Sequence, residues 1–301
     1  MERRHILHMF TPSRQMSPFD INMAVDAGYD VVTPYCGVTA DEIRGLTQDA
    51  IFSRGPKGVK ATGIFIGGRD VLLAADMLET ARAAMVPPFE VSVIADPSGS
   101  YTTAAALVAC VEQQLRRAHD TGLGGKRVLI LGGTGTVGRI AGVLAAGLGA
   151  EVALGHHSKL AKAEEAARAT GARFACSLAG ADASTPAALR AALADADVVL
   201  ATAVAGVQVV GAAERAAAAR LLVAADVNAV PPEGIAGVGV MDDGKPLPEG
   251  RGVGIGALAV GNVKYQVEHR LLSAMRNADK PCYFGFREAF AVARDVVAEK
   301  D

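Results

Sequence analysis

The chain has no tryptophan, four cysteines and only 5% aromatic residues among its 301. Cys36, Cys110, Cys176 and Cys282 lie far apart with no C-x-x-C pair, so neither a disulfide framework nor a thiolate metal cluster is expected. No run approaches the ~20 apolar residues that a membrane-spanning helix needs. The stretch MERRHILHMFTP at Met1–Pro12 has too short an apolar core for a signal peptide, so a cytoplasmic protein is expected. Neither sign of charge dominates. The formal net charge is -2, which leaves no electrostatic case for binding nucleic acid or an anionic membrane. No H-x-x-x-H or carboxylate cluster is present, and the neighbours His156 and His157 are expected to point in different directions, so no metal is expected. The absence of a G-x-S-x-G elbow removes the usual support for hydrolase chemistry.

What the chain does have is glycine, 34 residues of it, within a sequence that is 50% hydrophobic. The stretch Arg127–Gly147, RVLILGGTGTVGRIAGVLAAG, organises the rest. Val128–Leu131 is an unbroken apolar run and reads as a strand buried on both faces. Gly133, Gly135 and Gly138 follow in G-x-G-x-x-G spacing, with Thr134, Thr136 and Val137 between them, and a helix continues from Arg139. In this arrangement the first glycine permits a tight turn, the second lets the backbone approach a pyrophosphate, and the third lets helix pack on strand. The phosphates are then held by free N–H groups at the positive end of the helix dipole. Strand, turn and helix in that order predict a dinucleotide site.

The second strand of such a unit ends ~20 residues on, with a carboxylate where the ribose 2′-hydroxyl of NAD is bound. Here the strand Glu151–Gly155 is followed by His156, His157, Ser158 and Lys159. Imidazoles, a hydroxyl and an ammonium suit a 2′-phosphate, so NADP is preferred, with NAD admitted; the plainer alternative is a solvated basic loop.

Four strand–helix units precede this motif: strands at His5–Phe10, Tyr29–Thr33, Ala61–Ile66 and Val91–Ala95, each followed by a helix. The expected architecture is α/β with two α/β domains. An N-terminal substrate domain spans 1–121, a Rossmann-type dinucleotide domain spans 122–264, and C-terminal helices over 265–301 return towards the first domain. Within the second domain, strands are expected at Val128, Glu151, Phe174–Ser177, Asp197–Ala201, Leu221–Ala225 and Gly252–Ala259.

Ligands of open α/β sheets bind outside the carboxyl ends of the strands, which makes the loops after the strands the candidates. Phe19 offers a stacking ring and Asp20 a hydrogen-bonding carboxylate for a planar heterocycle; the plainer alternative is a core ring and a helix-start carboxylate. Ser17 and Pro18 precede them, and Ser100, Thr102 and Thr103 open another helix, where they also qualify as caps. Lys264 follows the last, glycine-rich strand and is a candidate electrostatic or acid–base group, or a snorkelling lysine. Ala203, Asp226 and Asn228 lie after cofactor-domain strands, Asp226 and Asn228 either touching the nicotinamide ribose or forming the turn before Pro231-Pro232.

With these loops in view, the chain resembles the NAD(P)-dependent methylene-tetrahydromethanopterin dehydrogenases of C1-oxidising bacteria over nearly its full length. The strings that carry the resemblance include SPFDINMAVDAG at Ser17, ADPSGSYTT at Ala95, GGTGTVG at Gly132, LLVAADVNAVPPEGIAG at Leu221 and GVGIGALAVGNVKYQ at Gly252. The resemblance implies hydride transfer from the methylene bridge of the pterin carrier to nicotinamide, giving the methenyl cation. It matches Phe19 to the family's pterin-site phenylalanine, with Asp20 beside it, Thr103 to its active-site threonine and Lys264 to its lysine. Some relatives carry a histidine four residues after that lysine; Glu268 stands there in this chain, and that role is not carried over. The resemblance further implies a homo-oligomer acting on a small-molecule substrate. The alternative is the same reaction on methylene-tetrahydrofolate; a more remote one is a non-catalytic NADP-sensing protein.

Overall fold

Three helix starts in this chain are capped by short polar side chains. Ser17 and Pro18 open α1, the Ser17 hydroxyl accepting from the Asp20 N–H; Asp70 opens α3 by accepting from the Leu72 and Leu73 N–H groups; Thr185 and Pro186 open α7. The Glu42 carboxylate accepts from both the N–H and the hydroxyl of Thr39, as expected for a capping box, although the first turn it closes is a short 3₁₀ segment at Ala40–Glu42.

The computed structural model describes residues 3–248 and 251–299; Met1 and Glu2, part of the stretch weighed as a leader, lie outside them. The element order begins β1 Ile6–Thr11, α1 Pro18–Asp26, β2 Val31–Cys36, α2 Ile43–Phe52, β3 Thr62–Ile66, α3 Val71–Ala83, β4 Ser92–Ala95 and α4 Ser100–His119. It continues β5 Arg127–Leu131, α5 Thr136–Gly147, β6 Glu151–His156, α6 Leu160–Phe174, β7 Ala179–Asp182, α7 Pro186–Ala194, β8 Val198–Ala201, α8 Ala212–Ala217 and β9 Val223–Asp226. The remainder is β10 Asp243–Pro246, β11 Val253–Ile255, α9 Ala257–Asn277, β12 Tyr283–Phe284 and α10 Phe286–Ala298. The chain divides into two units, Met1–Thr102 with Tyr265–Val292 and Thr103–Lys264 with Ala293–Asp301.

The first unit holds a parallel sheet in the order β12-β4-β3-β1-β2. All five residues of the central strand β3 are buried, which is why that segment reads as continuously apolar rather than alternating. The second unit holds a seven-stranded sheet in the order β10-β11-β9-β8-β5-β6-β7, parallel throughout except for β10, which runs antiparallel to β11. Without that edge strand the order is the doubly wound one of dinucleotide-binding sheets, with its reversal between β5 and β8. One of its cores joins Leu129, Leu131, Val199 and Ala201 on the sheet to Leu189 and Leu193 of α7.

Three expectations need correction. The third strand of the second unit is not Phe174–Ser177: α6 continues through Phe174, whose side chain shares the buried face of Ala163, Ala166, Ala167 and Thr170, and Ala175 ends the helix at φ 54°. The strand, β7, comes four residues later. Its sequence, AGAD, has no β-branched or aromatic residue to announce it. The final strand stops at Ile255 rather than Ala259, and Lys264 lies inside α9 instead of beyond a strand. A short apolar run does not by itself separate strand from buried helix, and both sit within Gly252–Ala259. The short strands β10 and β12, the latter two residues long, carried no pattern to read.

Candidate functional site

The turn from β5 to α5 is fitted to its neighbours by what its residues lack. Gly132 adopts φ 74°, and a Cβ there would lie 2.6 Å from the Ala203 nitrogen. The conformational demand of the tight turn therefore falls on Gly132, one residue before the motif. Gly133 is required for a different reason: its Cβ would stand 2.6 Å from the Ile130 carbonyl and 2.9 Å from the Leu154 Cα of β6. At Gly138 a Cβ would meet Gly133 Cα at 2.7 Å and Thr202 Oγ1 at 2.8 Å, so helix and turn touch backbone to backbone. Gly135 caps α5 with no side-chain hydrogen bond, so the helix N-terminus of Thr136, Val137 and Gly138 is left for an external acceptor. Arg139 Nε donates to the Thr134 carbonyl at 3.0 Å and fixes the loop from below.

In front of this turn lies a cleft of about 900 Å³ at the carboxyl ends of β5, β6 and β8. Its volume suits an extended cofactor, and its place is the topological switch point of the sheet. Of the residues singled out from the sequence, Thr134, Gly135, His156, His157 and Ala203 line it, and Ser158 and Lys159 are not among the lining residues. Ser184, Thr185, Thr202, Val204 and Gln208, which were not singled out, also line it. Their signal was positional: Ser184 and Thr185 follow β7, and Thr202 follows β8 directly.

The end of β6 departs from expectation in one respect. The rings of His156 and His157 do not diverge but stack, 4.7 Å between centroids and 19° between planes. Alternation holds only inside a strand, and the chain bends at His157 immediately after β6 ends. His156 Nδ1 receives the N–H of Ser158 at 3.1 Å and that of Lys159 at 3.3 Å, with Ser158 Oγ at 3.2 Å. Burial, then the nearby His157 and Lys162 charges, holds the His156 imidazole below its ordinary pKa, which favours the neutral ring.

Asp226 and Asn228 hold the loop after β9. The buried Asp226 carboxylate accepts from the N–H groups of Asn228 at 2.9 Å, Gly234 at 2.6 Å and Ile235 at 3.3 Å. Burial raises its pKa and outweighs these three donors. Asn228 Oδ1 accepts from the Gly206 and Val230 N–H groups, and its Nδ2 donates to the Pro232 carbonyl. These bonds match the turn-forming alternative, and neither residue is among those lining the cleft.

In the first unit, the loop after β1 delivers Phe19 and Asp20 on the first turn of α1, Phe19 being 45% exposed and Asp20 buried. The loop after β4 is fastened from within. Asp96, fully buried, accepts the Tyr101 N–H at 2.8 Å and the Thr102 N–H at 3.2 Å on Oδ1, and the Thr102 hydroxyl at 2.6 Å on Oδ2. The Ser100 hydroxyl donates to the Pro97 carbonyl. Asp96 was not among the expected site residues, although it stands at the strand's end, where such sheets keep their functional groups. Thr103 opens the second unit's share of α4, and Lys264 closes its share of α9. Among the described residues there is no group of three side chains suited to a metal ion.

Comparison with known proteins places these observations. Residues 18–98 match the family model described as methylene-tetrahydromethanopterin dehydrogenase, N-terminal. The chain is 48% identical, over 97% of its length and 99% of the relative's, to the NAD(P)-dependent methylenetetrahydromethanopterin dehydrogenase of Methylorubrum extorquens. It is 32% identical over the same shares to the Bifunctional protein MdtA of that organism. Among solved structures, ornithine carbamoyltransferase from Pyrococcus furiosus aligns with a TM-score of 0.51 at 15% identity, covering 92% of this chain and 86% of that one, a likeness of fold alone. The glycine turn, the cleft at the switch point and an end-to-end match at 48% identity converge on one assignment: the chain belongs to the NAD(P)-dependent methylene-tetrahydromethanopterin dehydrogenase family.

Proposed function

We propose that the protein oxidises the methylene bridge of methylene-tetrahydromethanopterin to the methenyl cation, with NADP preferred as hydride acceptor and NAD also used. The observation that carries this is the glycine-built cleft of the second unit, in a chain 48% identical to the M. extorquens dehydrogenase over nearly its whole length. NADP, when bound, accepts the hydride at C4 of its nicotinamide. The carbon that loses the hydride lies between two nitrogens whose lone pairs stabilise the resulting cation, so the step needs no general base. The chain's task is then to align donor and acceptor and to exclude water.

In this reading the N-terminus of α5 and the glycine turn hold the pyrophosphate, and the end of β6 faces the 2′ position of the adenosine ribose. The exposed Phe19 ring stacks on the pterin and Asp20 accepts from its N–H groups, with Ser17, Pro18, Ser100 and Thr102 shaping the loops around them. Thr103 and Lys264 serve as the active-site hydroxyl and ammonium. We read the protein as a cytoplasmic homo-oligomer; among the described residues no helix is long and apolar enough to cross a membrane.

The test is a spectrophotometric assay of the purified protein at the reduced-nicotinamide band, with each methylene carrier and each nicotinamide in turn. Fastest turnover is expected with the methanopterin carrier and NADP. Faster turnover with the folate carrier would move the assignment to methylene-tetrahydrofolate, and binding without turnover on either carrier would refute an enzyme of this class.

A further inference from the structure

The carboxylate that binds the ribose 2′-hydroxyl in NAD-specific sheets is missing from the end of β6, and the structure shows what stands in its place. A backbone N–H can only donate, so His156 Nδ1, which receives those of Ser158 and Lys159, must be an unprotonated acceptor. That fixes the neutral ring as the Nε2–H tautomer. The ring is braced by the stacked His157 and stands on the wall of the cleft beside Gly155 and the glycine turn. Asp182 is its register partner on β7, but that carboxylate accepts the Ser184 N–H at 2.9 Å and is turned into its own loop.

The same chain contains a matched pair. At the start of α3, Asp70 Oδ1 accepts from the N–H groups two and three residues on, at 2.9 and 3.1 Å. His156 accepts from the same two offsets, at 3.1 and 3.3 Å. A carboxylate could therefore hold the loop after β6 as well as an imidazole does. The local fold does not require histidine at 156.

We propose that His156 determines cofactor choice: as a loop-locked, uncharged donor in the place of the usual carboxylate, it admits a 2′-phosphate and a 2′-hydroxyl alike. A ribose hydroxyl and a phosphate oxygen can each accept from Nε2–H, whereas a carboxylate accepts from the hydroxyl and repels the phosphate. Lys159 then adds the attraction that favours the phosphate, while the Ser158 hydroxyl is already engaged by His156. This inference rests on the reading of the cleft as the NAD(P) site and is independent of which carrier is oxidised.

The experiment is calorimetric titration of the full-length protein with NAD and with NADP, without pterin, for the wild type, His156→Asp and His156→Asn. Both replacements keep an acceptor for the Ser158 and Lys159 N–H groups, and only one carries charge. The NADP-to-NAD affinity ratio is expected to fall at least about tenfold in His156→Asp and to stay within about threefold of wild type in His156→Asn. Equal shifts in the two variants, or an unchanged ratio in His156→Asp, would overturn the proposal. Failure of the wild type to bind either nucleotide would overturn the cofactor reading and this inference with it. Turnover on an unexpected carrier would affect neither.

Discussion

The loops that follow β4 and β5 both carry a parallel strand into a helix, yet they are built in opposite ways. After β4, the buried Asp96 carboxylate takes up the N–H groups of Tyr101 and Thr102 and the Thr102 hydroxyl, so the start of α4 is satisfied by the chain itself. After β5 the cap position is glycine: Gly135 offers no side-chain acceptor to α5, and backbone approaches backbone at Gly133 and Gly138. A helix N-terminus without an internal acceptor is open to an anion, and one already closed by a carboxylate is not. The first construction closes its helix from within, and the second leaves its helix start open.

The comparison breaks most completely if a carboxylate is placed on the open helix. Gly135 has φ -74° and ψ 173°, an extended conformation that any residue adopts, but a Cβ there would stand 3.1 Å from the Gly132 carbonyl oxygen, so Gly135→Asp folds with a small shift of that loop, to be checked by circular dichroism before binding is measured. Nucleotide affinity should drop by more than about a hundredfold, because the new charge occupies the pyrophosphate seat. Calorimetry with NADP checks this, and retention of tight binding would show that the phosphates lie elsewhere.

The converse change, Asp96→Ala, strands buried donors at Tyr101 and Thr102, at about 1–3 kcal/mol each. Urea unfolding should record a loss of about 3–5 kcal/mol, and Asp96→Asn, which keeps an acceptor, should lose less. Equal losses in the two variants would mean that Asp96 acts through its charge rather than as an acceptor for these donors.

A smaller effect separates Asp226 from Asp96, although both are buried carboxylates serving backbone donors. Burial raises the Asp226 pKa above its ordinary 3.8. A carboxyl whose pKa is higher in the folded protein contributes stability that is complete below the unfolded value and lost as pH rises through the folded one. Between about pH 4 and 7, wild-type stability should therefore decline relative to Asp226→Asn, by urea unfolding at each pH. A relative gain over that range would reverse the assigned balance between burial and hydrogen bonding.

How much of this was legible depended on whether a residue's role is local. The glycine spacing and the apolar run of β5 are decided within a few residues, and the sequence displayed them. The strands AGAD at β7 and DGKP at β10 exist because neighbouring strands supply the ladder, and nothing in their side chains records it. Lys264 was placed after a strand because an apolar run reads alike in a buried strand and a buried helix.

By itself, then, the sequence determined two α/β units, a glycine-spaced strand–turn–helix and the absence of an NAD-type carboxylate, since each follows from spacing, size or charge along the chain. Only the tertiary structure decided which polar groups remain for ligands. It closed Asp96 and Asp226 onto backbone donors, turned His156 into the acceptor for its own loop, and laid His157 flat against it. Hydrogen bonding is a matter of which groups meet in space. A residue's type states what it can donate or accept, and the fold determines what is left over.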